Sequence, residues 1–402
     1  MTAPRVCHLS KYYPPAPGGI ETHVRTLALA QAEQGARVRV LCVNHAGSAT
    51  VTEADGPVEV TRFGRAASGA KLDFCPGLAA GIRGVEADIL HLHVPGPTMI
   101  LALLRARPST PIVVTYHSDV VRQRLRAALF RPVEAIVYRR VRAILPTSPT
   151  YAEGSRFLAS YRERLDVLPH GIDLRPYLDP TASHREEADR IRARHPGPIW
   201  LGCGRMVYYK GFSNAIRALR EVEGTLILIG DGPDLPALRA EAERLGVSGR
   251  VAFLGNLPHY TDLIPYYLAA RAFWFPSNAR SEAFGLVQVE AMACGVPVIN
   301  AAIPHSGVAW VSPDGETGLT VPVDDPAALA AAARRLLAEP GLRDRLGRAA
   351  RERAIREFDH TLMARRSLAI YGRVLGEHPA RPASVAGPGP AVLVPSPTPP
   401  PA

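Results

Sequence analysis

The stretch from Ser277 to Val298, S-N-A-R-S-E-A-F-G-L-V-Q-V-E-A-M-A-C-G-V-P-V, constrains this chain more than any other. It follows the apolar run Ala272 to Pro276 (A-F-W-F-P), which reads as a strand buried on both faces. A polar loop leads to Gly285, and a helical pattern runs from Leu286 to Ala293. Gly295 and Pro297 stop that helix, and Val296 to Ile299 begins the next strand. This strand–loop–helix–strand order specifies a parallel α/β sheet, whose ligands gather at the carboxyl ends of the strands. Glu282 and Glu290 bracket the turn with seven residues between them. Gly285 lets a ligand approach the backbone, and the free N–H groups of the new helix suit an anion. Glu290, more than a turn further on, is placed for a neutral hydroxyl such as a ribose. Glu282 lies toward whatever extends beyond the phosphates.

The same α/β grammar holds along the chain. Val6 to Ser10 reads as a first strand, and a loop K-Y-Y-P-P-A-P-G-G leads to a helix from about Ile20 to Gln34. Arg37 to Val43 is the second strand. Gly18 and Gly19 therefore sit at a helix N-terminus after a strand, but not as G-x-G-x-x-G, which leaves a dinucleotide site unsupported. Further strands are expected at Asp88 to His93, Pro111 to Tyr116, Ala143 to Thr147 and Leu165 to Leu168. The polar group His117-Ser118-Asp119 ends one of them. His91 and His93 alternate on one strand face, and without a third ligand in view they read as structural histidines. In the second half, strands at Pro198 to Gly204, Thr225 to Gly230 and Arg250 to Leu254 precede the central stretch. Arg205 and Lys210 flank four residues on a loop ahead of a helix, a spacing suited to clamping a diphosphate. Only three of the 47 basic residues are lysine, so Lys210 stands where arginine was the common alternative.

Several of these segments together resemble one family. E-x7-E with Phe284-Gly285 and E-A-M-A, the G-R-x-x-x-x-K-G segment 204–211, the P-P-x-x-G-G-I-E loop, T-x-H-x-D around His117 and H-G-I-D at 170–173 are similar to the family 4 glycosyltransferases. The resemblance covers about residues 5 to 376. It implies the GT-B fold, two Rossmann-like doubly wound domains facing a central cleft. The expected division is an acceptor domain at 1–174, a nucleotide-sugar donor domain at 175–360, a helix at 361–378 packing back on the first domain, and a disordered proline-rich tail at 379–402. It implies retaining transfer of a hexose from a nucleotide diphosphate sugar, with the departing phosphate taking the acceptor proton. Under it Glu282, His117, Arg205 and Lys210 carry catalysis. Gly18, Gly19, Phe284, Gly285, Leu286 and Glu290 join Arg205, Lys210 and Glu282 in holding the donor. G-G-I-E-T-H-V, Y-H-S-D-V-V-R-Q and V-Y-Y-K-G look most similar to bacterial mannosyltransferases of polysaccharide assembly, which points to GDP-mannose and a glycan or lipid-linked acceptor. A UDP-sugar enzyme of the same fold, or a non-catalytic nucleotide-sugar binder, are the alternatives. Neither cofactor nor metal is expected.

Composition narrows the partners. The net charge is +10, from 47 basic and 37 acidic residues, yet no nucleic-acid-binding signature appears. Arginines crowd an expected helix from Val120 to Val141, which suits either a solvated face or docking on an anionic membrane surface. The five cysteines are scattered and read as free thiols, no signal peptide is visible, and no apolar run approaches a membrane span. The expected location is the cytoplasm, at the inner face of the membrane.

Overall fold

A computed structural model describes residues 3–69, 72–119 and 124–376. The proline-rich tail therefore lies outside the described residues. The first sheet has seven strands: β1 (Arg5–Leu9), β2 (Arg37–Val43), β3 (Val51–Asp55), β4 (Val58–Phe63), then, after a small hairpin of β5 (Ala67–Gly69) and β6 (Leu72–Phe74), β7 (Ile89–Val94), β8 (Ile112–Tyr116) and β9 (Val141–Pro146). Their order across the sheet is β3-β4-β2-β1-β7-β8-β9, parallel except for β3. The second sheet is wholly parallel. It holds β10 (Ile199–Cys203), β11 (Thr225–Ile229), β12 (Val251–Gly255), β13 (Ala272–Phe275), β14 (Val298–Ala301) and β15 (Gly318–Val321), ordered β12-β11-β10-β13-β14-β15.

Each sheet reverses strand order beside its first strand and carries helices on both faces, the doubly wound arrangement expected from the sequence. The central strands read as unbroken apolar runs because both faces are covered: β8, β10, β13 and β14 are buried at every residue. Four apolar cores result, two for each sheet. The helix His360–Leu375 packs against the first helix, Gly19–Glu33, placing Met363, Ala364, Ile370 and Tyr371 in a core of the first sheet.

Three expectations are corrected. Leu165 to Leu168 is no strand: it runs beside β9 with one isolated bridge, Ile144 to Leu165, and two hydrogen bonds, Asp166 N–H to the Ile144 carbonyl and Leu168 N–H to the Pro146 carbonyl, too few to make a ladder. The basic helix ends at Tyr138, and Val141 already opens β9; residues 120–123 of the expected helix lie outside the described residues. Arg122, and the side chains of Arg124 and Arg126, lie outside the described residues. Residues 51–63, passed over in the sequence, form β3 and β4; Val58 and Val60 face the core and Glu59 faces out, the alternation of a half-covered strand. All five cysteines are free thiols.

Candidate active site

The loops that leave the carboxyl ends of β1, β8, β10 and β13 build the cleft. Adjacency within the second sheet decides which side chains meet there. β10 pairs with β13, with Leu201 beside Phe273. The loop 204–211 after β10 and the loop 276–285 after β13 therefore leave the sheet side by side. Asn278 N–H donates to the Tyr209 carbonyl at 2.9 Å, tying the loops together. This brings Lys210 Nζ to 2.6 Å from Glu282 Oε2, in a pair whose side chains are only 12% and 11% exposed. The sequence placed them on separate tasks, one toward phosphate and one toward sugar. The two side chains form an ion pair across the seam between the loops. Lys210 Nζ also lies 5.1 Å from the centre of the Phe275 ring, a cation–π contact.

Arg205 is exposed, and its Nη2 donates to Tyr209 OH at 3.3 Å. Among the described residues it pairs with no carboxylate, which leaves its guanidinium available to an anion. Gly285, at φ +80, caps the Leu286–Ala293 helix. A Cβ there would stand 2.6 Å from the Phe275 ring, so only glycine lets the turn close against β13. Leu286 opens the helix, its backbone N–H among the unpaired groups of the first turn. Phe284 is buried with its ring against His170 at 5.0 Å and Phe358 at 5.6 Å. Its side chain thus fills the core between the two sheets and does not line open space. At Gly18 and Gly19 the first helix begins; a Cβ on Gly19 would meet nothing within 4 Å.

Glu290 accepts a hydrogen bond from Tyr267 OH at 2.8 Å. Its surroundings, which include Tyr177 and Cys203, desolvate the carboxyl and push its pKa up to about 7 from an ordinary 4.5. Hydroxyls of a bound ribose would donate to the ionised form, so binding would draw the proton off. Affinity for a nucleotide then rises with pH through about 7 and levels above it. Calorimetry should find binding about tenfold weaker one unit below that point. An affinity flat across this range would remove Glu290 from the ribose.

Opposite these loops, the first sheet gathers histidines. β1, β7 and β8 are neighbours, with His8 beside His91 and His93 beside Thr115. His8, His91, His93 and His117 come from these strands, His23 from the first helix and His170 from the segment before Gly171; all six are buried. Desolvation holds every one neutral, His8 at about 4, His170 at about 3, and His23, His91, His93 and His117 well below the ordinary value.

Neutral imidazoles in a row fix one another's tautomers. Ser367 Oγ donates to the Ala364 carbonyl, so it accepts from Gln31 Nε2 at 2.7 Å. The Gln31 carbonyl oxygen then faces His8 Nε2 at 2.8 Å and accepts from it. His8 Nδ1 must in turn accept from His93 Nε2 at 3.0 Å, and His93 Nδ1 from His117 Nε2 at 3.1 Å. His117 Nδ1 accepts from His170 Nε2 at 3.4 Å. The chain ends at His170 Nδ1, a buried acceptor without a partner. The C-terminal helix thereby sets the proton position on His117 from a distance. Gln31→Leu removes the acceptor that starts the chain, and should cost about 1–3 kcal/mol in a urea titration; an unchanged midpoint would show that the polar chain contributes nothing. His117 itself is 6% exposed, with both ring nitrogens already engaged.

Asp119 and Arg280, the latter not singled out in the sequence, join the two walls. Arg280 Nη1 lies 3.0 Å from Asp119 Oδ2, its Nη2 donates to the Tyr151 carbonyl at 3.2 Å, and its guanidinium lies 4.5 Å from the Tyr151 ring. The pair spans the gap between β8 and the loop after β13, and no periodicity in either segment signals it.

Comparison with known proteins finds relatives for both halves of the chain. Residues 17–175 match the family described as Glycosyltransferase Family 4, and residues 184–353 match Glycosyl transferases group 1. The chain is 37% identical over 269 residues to D-rhamnosyltransferase WbpZ of Pseudomonas aeruginosa, covering 67% of this chain and 69% of that protein. It is 29% identical over 376 residues to O-antigen chain mannosyltransferase C of Escherichia coli, covering 90% and 96%. Among solved structures, sucrose-phosphate synthase from Thermosynechococcus elongatus superposes with a TM-score of 0.76 at 25% identity, over 93% of this chain and all of that one. Anabaena HepE in complex with UDP and glucose gives 0.72 at 20% identity, over 92% and 100%.

Proposed function

We infer, because this chain belongs to the family 4 glycosyltransferases of the GT-B fold, that it transfers a hexose from a nucleotide diphosphate sugar to an acceptor hydroxyl with retention at the anomeric carbon. The observation that carries the reading is the Lys210–Glu282 pair beside the Leu286–Ala293 helix N-terminus, with Arg205 exposed nearby. Arg205 and Lys210 take the diphosphate, and the helix amides add to their field. Glu282 and His117 hold the sugar from opposite walls, His117 by exchanging its long 3.4 Å contact with His170 for a sugar hydroxyl, Glu290 the ribose, and the backbone at Gly18, Gly19, Gly285 and Leu286 the remaining donor oxygens. As the bond from the anomeric carbon to the phosphate oxygen breaks, the acceptor oxygen attacks from the same face. Its proton passes to the departing phosphate oxygen, so no carboxylate has to act as nucleophile. Protein cations meet the diphosphate charge, and we assign no cofactor. We take 1–174 as the acceptor domain and 175–360 as the donor domain.

Mannose carried by GDP is the donor we favour, supported by the likeness to the E. coli mannosyltransferase and by the motif combination described above. The acceptor on this reading is a glycan or lipid-linked saccharide of a cell-surface polysaccharide. A thermal-shift panel of GDP-mannose, UDP-glucose, UDP-GlcNAc and the free nucleotides tests the donor. A ligand at 100 times its dissociation constant adds about 2.7 kcal/mol. Shifts confined to GDP and GDP-mannose are expected; shifts with uridine nucleotides alone would overturn the sugar while leaving the fold and mechanism in place.

No helix among the described residues is long and apolar enough to cross a membrane. A lipid-linked acceptor would instead be met at the surface. Arg139, Arg140 and Arg142 are exposed and, with Arg164, line a cavity of about 410 Å³. We place the anionic inner membrane face against this arginine cluster. Arg139→Gln with Arg142→Gln should weaken binding to phosphatidylserine vesicles by about 2 kcal/mol, at roughly 1 kcal/mol per charge. Unchanged co-sedimentation would free this face of the role.

A further inference from the structure

His23 is 2% exposed, and among the described residues neither of its ring nitrogens has a hydrogen-bond partner. A buried imidazole with two idle polar atoms is costly unless something else meets them. Its ring stands edge-on to His117 with centroids 4.9 Å apart and edge-on to His93 at 5.6 Å. One nitrogen from each of His23, His93 and His117 lies within 4.8 Å of the others. His93 Nδ1 and His117 Nε2 are already 3.1 Å apart. Two imidazole nitrogens bound at about 2.0–2.1 Å to a tetrahedral zinc ion stand roughly 3.3 Å apart, so this edge of the site needs little adjustment.

A second triad, His8, His91 and His93, is equally compact. Its nitrogens, however, are all in use: His8 with Gln31 and His93, His91 with Tyr371 and Thr115. An ion there would break at least two hydrogen bonds, whereas at His23, His93 and His117 it need break only the one between His93 and His117 and gives His23 a partner it lacks.

We propose that His23, His93 and His117 form a binding site for a borderline transition-metal ion such as Zn²⁺, at the end of β8 that faces the cleft. Neutral imidazole is the ligand such ions prefer, and burial keeps all three rings neutral. His93 offers the lone pair on Nδ1 without changing its tautomer. His117 moves its proton from Nε2 to Nδ1 and donates to His170 Nε2, whose own proton shifts to its Nδ1, so the chain between them reverses at that one link. Three histidines leave a fourth position for water or an anion from the cleft. Because the ion occupies His117, it competes with the sugar contact assigned to that residue. This last consequence rests on the transferase reading; the site itself does not.

The test uses the untagged full chain, stripped with EDTA and desalted. Co²⁺ is titrated and followed by its visible absorption, and Zn²⁺ by calorimetry, both without donor. One equivalent should bind, with the intense d–d bands of a low-coordinate site. His23→Ala and His93→Ala should weaken it by more than about tenfold, and His259→Ala, on an exposed loop of the second domain, should leave it unchanged. His23→Gln keeps the volume of the ring largely filled, and retained nucleotide binding shows that a variant has folded. Absence of stoichiometric binding to the wild type would overturn the site. So would retained binding in a folded His23→Ala, or loss in His8→Ala with retention in His23→Ala. If one equivalent of Co²⁺ binds but sugar transfer proceeds at its metal-free rate, the competition with His117 is wrong.

Discussion

Lys210→Met lowers turnover by roughly 100- to 1,000-fold at saturating donor, with a much smaller change in donor affinity. On the proposed reaction, charge builds on the leaving diphosphate as its bond to the anomeric carbon breaks, and a fixed cation there is worth most in the transition state; losing one such group costs about 2.7–4 kcal/mol. Methionine keeps the length of the side chain over Gly204 and Phe275, so packing is a minor part of the effect. The lysine also pairs with Glu282 at 2.6 Å. Glu282→Gln added to Lys210→Met should therefore fall short of the product of the two single losses, since the second change removes a carboxylate already lacking its partner. Single-turnover measurements separate binding from chemistry. A Lys210→Met enzyme within threefold of wild type would remove the residue from the mechanism.

The second large effect is on folding. Gly211→Ala should lower stability by about 2–5 kcal/mol, combining the cost of a side chain in left-handed backbone with that of overpacking. Gly211 lies at φ +67, and a Cβ there would stand 2.0 Å from the Pro276 carbonyl oxygen. That oxygen ends β13, so the clash falls on the seam between the two loops that carry Lys210 and Glu282. Backbone on both sides leaves no flexible side chain to yield. Thermal unfolding should show the loss, and nucleotide binding should weaken with it. A variant melting at the wild-type temperature would mean that the seam is looser than described.

These two residues show how far the sequence carries. The glycines, the cations and both glutamates are legible because each sits in a short segment whose apolar run, loop and helix follow one another locally. That Lys210 touches Glu282 is not legible. It depends on β10 and β13 being neighbours, a property of strand order that no single segment expresses. The histidines divide in the same way. The alternation of His91 and His93 on one strand marks a shared face, but His8, His23, His117 and His170 reach that face from four other segments. The sequence reading, seeing two, found no third partner. Phe284 was read toward the donor because of its motif, while the structure buries its ring against His170 and Phe358, which come from segments remote from it in the chain. Leu165 to Leu168 shows the converse error: apolar alternation invites a strand, but a strand also needs a continuous ladder, and beside β9 one bridge and two hydrogen bonds are what forms.

The central claim is that this cleft transfers a sugar and releases a nucleoside diphosphate. Incubating the full chain with GDP-mannose and a lipid-linked saccharide, and following nucleotide and anomeric carbon together by NMR, tests it most directly. The account predicts GDP as the nucleotide product, a new glycoside of the same anomeric configuration as the donor, and loss of both signals in Lys210→Met. Release of GMP and a sugar phosphate, a product of inverted configuration, or equal turnover by Lys210→Met would contradict it.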